Sequence, residues 1–94
     1  MKLIDNFRSL IEKIIMPKFD DALKSFNIRT ETGTRYDGLQ SKEYYYLDFC
    51  FKPELNWVES YIVQDKIHDE SRFLFKMLEG DTSYLVVTFD VYCD

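Results

Sequence analysis

The sequence predicts an α+β domain in which an N-terminal helix or kinked helix pair, residues 2–26, packs on one face of an antiparallel β-meander of about five strands. Apolar residues near the N-terminus recur at helical spacing. Aromatic and β-branched runs in the rest of the chain alternate with polar residues, as strands do. At 94 residues, of which 46% are hydrophobic, the chain has the size and apolar content of a single domain, 1–94.

The N-terminal stretch is predicted to be helical on both sides of Pro17. The first part places its apolar side chains on one face: Leu3, Phe7, Leu10, Ile11 and Ile14. Pro17 interrupts this part, because a proline inside a helix removes a hydrogen bond and clashes with the preceding turn. The same spacing then resumes: Phe19, Ala22, Leu23 and Phe26. Two helices meeting at Pro17 are favoured over one kinked helix.

Two strands are expected in the middle of the chain. Residues 29–36 predict a short, exposed edge strand, and Asp37 and Gly38 form a turn signal. Residues 42–52 alternate clearly, and Pro53 ends them. One face of this strand is apolar: Tyr45, Leu47, Phe49 and Phe51. The other carries Tyr44, Tyr46, Asp48 and Cys50.

The C-terminal third predicts a β-hairpin with Gly80 in its turn, over residues 71–94. In that hairpin the apolar side chains of the two strands would share one face: Phe73, Phe75 and Met77 with Leu85, Val87, Phe89 and Val91. Residues 57–67 fit either a strand or a helix that begins after Pro53. The strand is favoured, because this run is rich in strand formers and leads towards the hairpin.

The residues that could carry chemistry are dispersed. Gly33, Gly38 and Gly80 are too far apart for a phosphate-binding loop. Cys50, His68 and Cys93 lack the short spacings of a zinc site, so we expect no metal and no cofactor. His68 is expected in a charged turn and has no identifiable orienting partner, so we expect no catalytic residue.

The expected location is the cytoplasm. No apolar run is long enough to span a bilayer. Asp5, Arg8 and Glu12 interrupt the N-terminal stretch where a signal peptide needs an unbroken apolar core. In this compartment Cys50 and Cys93 would stay reduced and act as small apolar side chains at strand positions.

The negative charge is concentrated in the second part of the chain. Residues 1–40 hold seven Lys and Arg against six Asp and Glu, whereas residues 41–94 hold five against eleven. The predicted sheet is therefore acidic, which favours a basic protein partner and argues against nucleic acid as the main ligand. No membrane partner is expected, because the chain lacks an apolar run long enough to span a bilayer.

The second face of the predicted sheet is the candidate binding surface. If helices cover the opposite face, it carries Tyr44, Tyr46, Asp48, Tyr84, Asp90 and Tyr92, with Asp69 and Glu70 in acidic loops at its border. Tyrosine is enriched in recognition surfaces, and interleaved Asp can pair with Lys or Arg of a partner. The alternative is that the tyrosines only pack on one another across strands.

A stoichiometric protein inhibitor fits these properties best. An immunity protein or antitoxin that neutralises a basic toxin or nuclease, or an inhibitor of a host enzyme, needs a rigid acidic surface with aromatic anchors and no catalysis. The second hypothesis is a homo-oligomeric structural or adaptor domain, for example a homodimer, that uses the same open sheet face. The third is a small enzyme or ligand binder around His68.

Overall fold

A computed structural model describes residues 2–34, 41–91 and 93 of the chain, which form an α+β fold. The elements follow in this order: α1 (Leu3–Leu10), a π-helical segment (Ile11–Ile15), α2 (Met16–Lys18), β1 (Leu23–Thr34), β2 (Ser41–Phe51), α3 (Trp57–Glu79) and β3 (Leu85–Asp90). The first three are consecutive and make one N-terminal helix. This helix and α3 pack on the same face of the sheet.

The sheet in the described residues has three strands in the order β1-β2-β3. β1 and β2 are antiparallel, whereas β2 and β3 are parallel. Parallel neighbours need a crossover connection, usually a helix, and α3 is that connection. The predicted antiparallel meander of about five strands is therefore wrong, although the α+β class is right.

Residues 57–67, for which a strand was favoured over a helix, and the first strand of the predicted hairpin, which was to begin at residue 71, lie in the single helix α3. Asn56 begins this helix, because its side-chain oxygen accepts a hydrogen bond of 2.8 Å from the backbone N–H of Val58. Gly80 follows its last residue with φ of 90°, a conformation that favours glycine. Gly80 thus ends a helix, and the hairpin predicted over residues 71–94 is wrong.

The N-terminal helix ends at Lys18, so the second helix predicted from Pro17 to residue 26 is wrong as well. Residues 19–22 form turns, and β1 begins at Leu23. The pairing register with β2 shifts between Leu23 and Ser25. This bulge adds one residue, so Leu23 and Phe26 both pack on the core although they are three positions apart. Their spacing imitates the period of a helix.

The core lies between the sheet and the two helices. The N-terminal helix contributes Phe7, Ile11 and Ile15, which are fully buried. Ile14, predicted to be buried, is exposed. A π-helical turn is wider than an α-turn. The next residue after Ile11 to face the core is therefore Ile15, four positions later, instead of Ile14, three positions later.

The side chains of β2 and β3 that face the helices are the apolar ones that alternation in the sequence predicted. Leu47, Phe49 and Phe51 of β2 are buried, as is Leu85 of β3, while Val87 and Phe89 are partly buried against them. From α3, the core receives Ile67, Leu74 and Phe75. The Phe75 ring meets the Phe7 ring edge to face, with ring centres 5.0 Å apart.

Cys50 of β2 and Cys93 form a disulfide, with their Cα atoms 6.1 Å apart. The expectation that both thiols stay reduced is therefore wrong. The bond attaches the segment after β3 to the central strand. Within the described part of the chain, no helix is both long and apolar enough to cross a lipid bilayer.

Candidate protein-binding face

The sheet face turned away from the helices is the candidate site, and we call it the open face. Its centre consists of three rows of paired residues across β1, β2 and β3: Arg29–Tyr46–Val86, Asn27–Asp48–Thr88 and Ser25–Cys50–Asp90. Side chains of alternate residues point to opposite faces of a strand, so Tyr46 and Asp48 share this face while Leu47 is buried between the helices and the sheet.

Arg29 connects the first two strands on this face. Its guanidinium carbon lies 4.2 Å from the centre of the Tyr46 ring. Its Nε donates a hydrogen bond of 3.0 Å to Asp48, and its Nη1 donates one of 2.7 Å to Glu31. The hydrogen bond to Asp48, and then the negative charges of Asp48 and Glu31, raise the pKa of Arg29 above its ordinary value despite partial desolvation. Arg29 therefore stays charged here.

Asp48 is the centre of this network. One carboxylate oxygen accepts from Arg29, and the other accepts a 2.5 Å hydrogen bond from the hydroxyl of Thr88. Because these partners stand on β1 and β3, the carboxylate links all three strands. Asp48 is thus held in one orientation, and its charge is partly offset by Arg29.

Tyr44 and Tyr84 form a second aromatic group at one end of the open face. Their rings meet edge to face, with centres 5.2 Å apart. The Tyr44 ring also lies over Gly33 of β1, where an added Cβ would be 2.4 Å from Tyr44 Cε2. Gly33 thus leaves the space that this ring occupies. The contact supports the cross-strand packing interpretation for this pair.

The other end of the open face carries Asp90, which is exposed, beside the disulfide. A shallow depression of about 330 Å³ lies here, with Asp48, Asp90 and Cys93 among its lining residues. Tyr92, also predicted on this face, lies outside the described residues. Tyr46, Asp48 and Asp90 therefore lie on three successive rows of one surface, and Tyr44 and Tyr84 lie at the end opposite Asp90.

Asp69 and Glu70 do not border the open face. Both lie on α3, in the layer on the other side of the sheet, instead of in loops. Glu70 forms an ion pair with Lys18 of the N-terminal helix. His68, the residue of the enzyme hypothesis, also lies within α3, with Nδ1 3.6 Å from a carboxylate oxygen of Asp69.

Arg29 is the residue of this site that the sequence interpretation missed. The signal was present, because alternation in the predicted edge strand places Arg29 and Glu31 on one face. Arg29 lies opposite Tyr46 because of the pairing register between β1 and β2, and alternation within one strand does not determine that register. Its positive charge makes the open face less acidic than predicted.

Within the described residues, no group of three or more His, Cys, Asp or Glu side chains could hold a metal ion. Comparison of the chain with family models, with curated proteins and with solved structures finds no match.

Proposed function

We propose that the chain is a stoichiometric protein inhibitor, of the immunity-protein or antitoxin type, that binds a basic toxin, nuclease or host enzyme through its open face and acts without catalysis. The observation that carries this proposal is the network in which Arg29, Tyr46, Asp48 and Thr88 hold one another across three strands. A surface whose polar groups are already fixed loses little conformational entropy when it binds.

The charges on the open face support a basic partner. Of the charged side chains described on the open face, Glu31, Asp48 and Asp90 are carboxylates and Arg29 is a cation. Tyr46 supplies a large ring that the guanidinium keeps in place. Aromatic anchors beside oriented carboxylates are typical of surfaces that bind Lys and Arg.

The test measures inhibition by the purified protein of basic proteins encoded beside its gene. Inhibition that saturates at one equivalent supports the proposal. Asp90→Lys is expected to slow association, and rising salt should slow it too, since the encounter is charge-steered. Tyr46→Ala is expected to speed dissociation by tenfold or more.

Glu12→Lys is the matched control for Asp90→Lys. It makes the same charge change at an exposed carboxylate on the N-terminal helix, away from the open face. If Asp90→Lys, Tyr46→Ala and Glu12→Lys all bound a demonstrated partner like wild type, the open face would be the wrong surface.

A homo-oligomeric adaptor is the second candidate, and the composition of β3 favours pairing through the edge of the sheet in place of the open sheet face expected from the sequence. β3 reads LVVTFD and forms one edge of the sheet, without the lysine or proline that commonly protects edge strands. Two copies paired along β3 would form one continuous sheet. Sedimentation over a hundredfold concentration range separates the candidates, because an inhibitor that binds through the open face sediments as a monomer.

We also propose, separately, that the protein is located in the cytoplasm, which the sequence favours. The Cys50–Cys93 bond stands against this location, because such bonds are typical of proteins in oxidising compartments. Alkylation of thiols in rapidly quenched cells tests the cytoplasmic proposal: free Cys50 and Cys93 support it, and protected cysteines contradict it.

A further inference from the structure

The first half of α3 exposes a set of large apolar side chains on the helical side of the molecule. They are Trp57, Val58, Tyr61 and Ile62, which we call the Trp57 patch, and they are 70%, 49%, 63% and 57% exposed. The buried residues of α3 all lie further along the helix: Ile67, Ser71, Leu74 and Phe75. Core packing therefore does not account for the apolar character of residues 57–62.

The Trp57 patch is held on a formed helix. Asn56 caps the helix start at Val58, and the hydroxyl of Ser60 donates a 2.6 Å hydrogen bond to the carbonyl of Trp57. The Trp57 and Tyr61 rings meet edge to face, with centres 6.0 Å apart. A partner would thus meet aromatic anchors that are already positioned, and Trp and Tyr are the side chains most enriched among binding hot spots.

The size of the patch is that of a functional surface. At about 150–250 Å² for a whole aromatic side chain, the exposed fractions of Trp57 and Tyr61 alone amount to roughly 200–330 Å², and Val58 and Ile62 add to this. The largest apolar patches on monomeric proteins cover about 300–600 Å² and are often functional. A partner that covers the patch and also contacts the surface around it can bury the roughly 1,000 Å² in total that a specific interface needs.

Charges around the patch restrict what can cover it. Four exposed carboxylates stand on or beside the first half of α3, against one lysine: Glu54, Glu59, Asp65 and Asp69, with Lys66. A second copy of the chain would bring two such acidic rims together, which costs free energy. A basic partner would instead meet opposite charges on most sides.

We propose that the Trp57 patch binds an amphipathic helix of a partner protein, whose apolar side chains cover the patch and whose flanking Lys and Arg meet the acidic rim. Apolar anchors at helical spacing are the usual way in which a helix is recognised, and peripheral ion pairs set its register. This surface lies in the helical layer, opposite the open face, so the proposal does not depend on the function proposed for that face.

The test uses Trp57 itself as the reporter, because it is the only tryptophan in the chain. The probe is a synthetic 18-residue helical peptide with leucine on one face and lysine on the flanks. We expect saturable binding with a blue shift of Trp57 emission. Tyr61→Ser and Ile62→Ser should each weaken binding by tenfold or more, and Asp65→Lys should weaken it severalfold, with helicity unchanged by circular dichroism.

Two matched variants serve as controls. Phe73→Ser removes another exposed ring from α3 outside the patch, and Asp90→Lys reverses a charge on the open face. Both variants should bind the peptide as the wild-type protein does. Because Asp90→Lys changes the open face and leaves the Trp57 patch intact, the peptide experiment tests the patch independently of the function proposed for the open face.

Three outcomes would overturn the proposal. The first is no emission shift with the lysine peptide, and the second is an equal shift with a peptide of the same leucine pattern flanked by glutamate. The third is an emission shift that depends on protein concentration alone, together with sedimentation as a dimer. That result would identify a second copy as the occupant of the patch.

Discussion

The hydroxyl of Thr88 donates a 2.5 Å hydrogen bond to the carboxylate of Asp48, on the neighbouring parallel strand. The other oxygen of the same carboxylate is bonded to Arg29 on β1. A single side chain of the central strand thereby joins both edge strands on the open face. The proposed binding surface and the integrity of the sheet depend on the same contacts.

Thr88→Val keeps the shape of the side chain but removes the donor. We expect it to lower the free energy of unfolding by about 1.5–3 kcal/mol, because a hydrogen bond to a charged group is lost. Urea titration measures this change. Thr88→Ser retains the hydroxyl, removes only a methyl group and should lose less. A Thr88→Val variant as stable as wild type would show that the hydrogen bond does not stabilise the fold.

Phe75 and Phe73 distinguish the observed helix from the predicted hairpin. In a strand both rings would face the core, whereas in α3 Phe75 is buried and Phe73 is 63% exposed. Phe75→Ala should therefore lower the free energy of unfolding by about 3–5 kcal/mol. Phe73→Ala should change it by about 0.5 kcal/mol or less. Similar losses in both variants would support the hairpin.

The Cys50–Cys93 bond closes a loop with a sequence separation of 43 residues. A cross-link over such a loop restricts the unfolded chain and typically adds about 2–4 kcal/mol of stability. A reductant should therefore lower the melting temperature of the wild-type protein. The Cys50→Ser/Cys93→Ser variant should melt at the lower temperature with and without reductant, and any response of that variant would point to another cause.

Titration of the Tyr45 hydroxyl is expected to lower the free energy of unfolding at alkaline pH. Burial of its hydroxyl, and then the charge of Glu43, a hydrogen bond to Glu43 and the charge of Glu79, raise the pKa of Tyr45. The folded state then keeps a proton that the unfolded state releases near pH 10. This group's contribution is constant below about pH 10 and falls as pH rises through the raised folded pKa.

Urea titrations between pH 8 and pH 11 measure this loss, with Tyr45→Phe as the control. Phenylalanine has no proton to release, so the variant should lose stability less steeply than wild type above about pH 10. Equal slopes would show that Tyr45 titrates alike in the folded and unfolded states.

The sequence predicted the strand faces correctly where alternation alone decides them. Leu47 and Phe49 are buried and Tyr46 and Asp48 lie on the open face, because side chains alternate in a strand whatever its neighbours are. The order and direction of the strands depend on contacts distant in sequence, which alternation does not encode. The parallel pairing of β2 and β3 was therefore missed.

Residues 57–67 were misread for a reason connected with their proposed role. A helix is recognised in a sequence when its apolar residues form one stripe facing the core. In α3, Trp57, Val58, Tyr61 and Ile62 are exposed, while Ile67 and Phe75 are buried, so apolar residues occur on both sides of the helix. The exposed patch obscured the helical period.

The parallel pairing of β2 and β3 has a consequence for the order of folding. β1 and β2 pair across a short connection, whereas Tyr45 and its partner Leu85 are 40 residues apart in the chain. Contacts between distant residues form late, because a long loop must close first. Until β3 arrives, one edge of β2 lacks its neighbour and Cys50 lacks Cys93. In an oxidising medium, chains caught at that stage can cross-link to one another, so refolding yield should depend on whether oxidant is added before or after the sheet is complete.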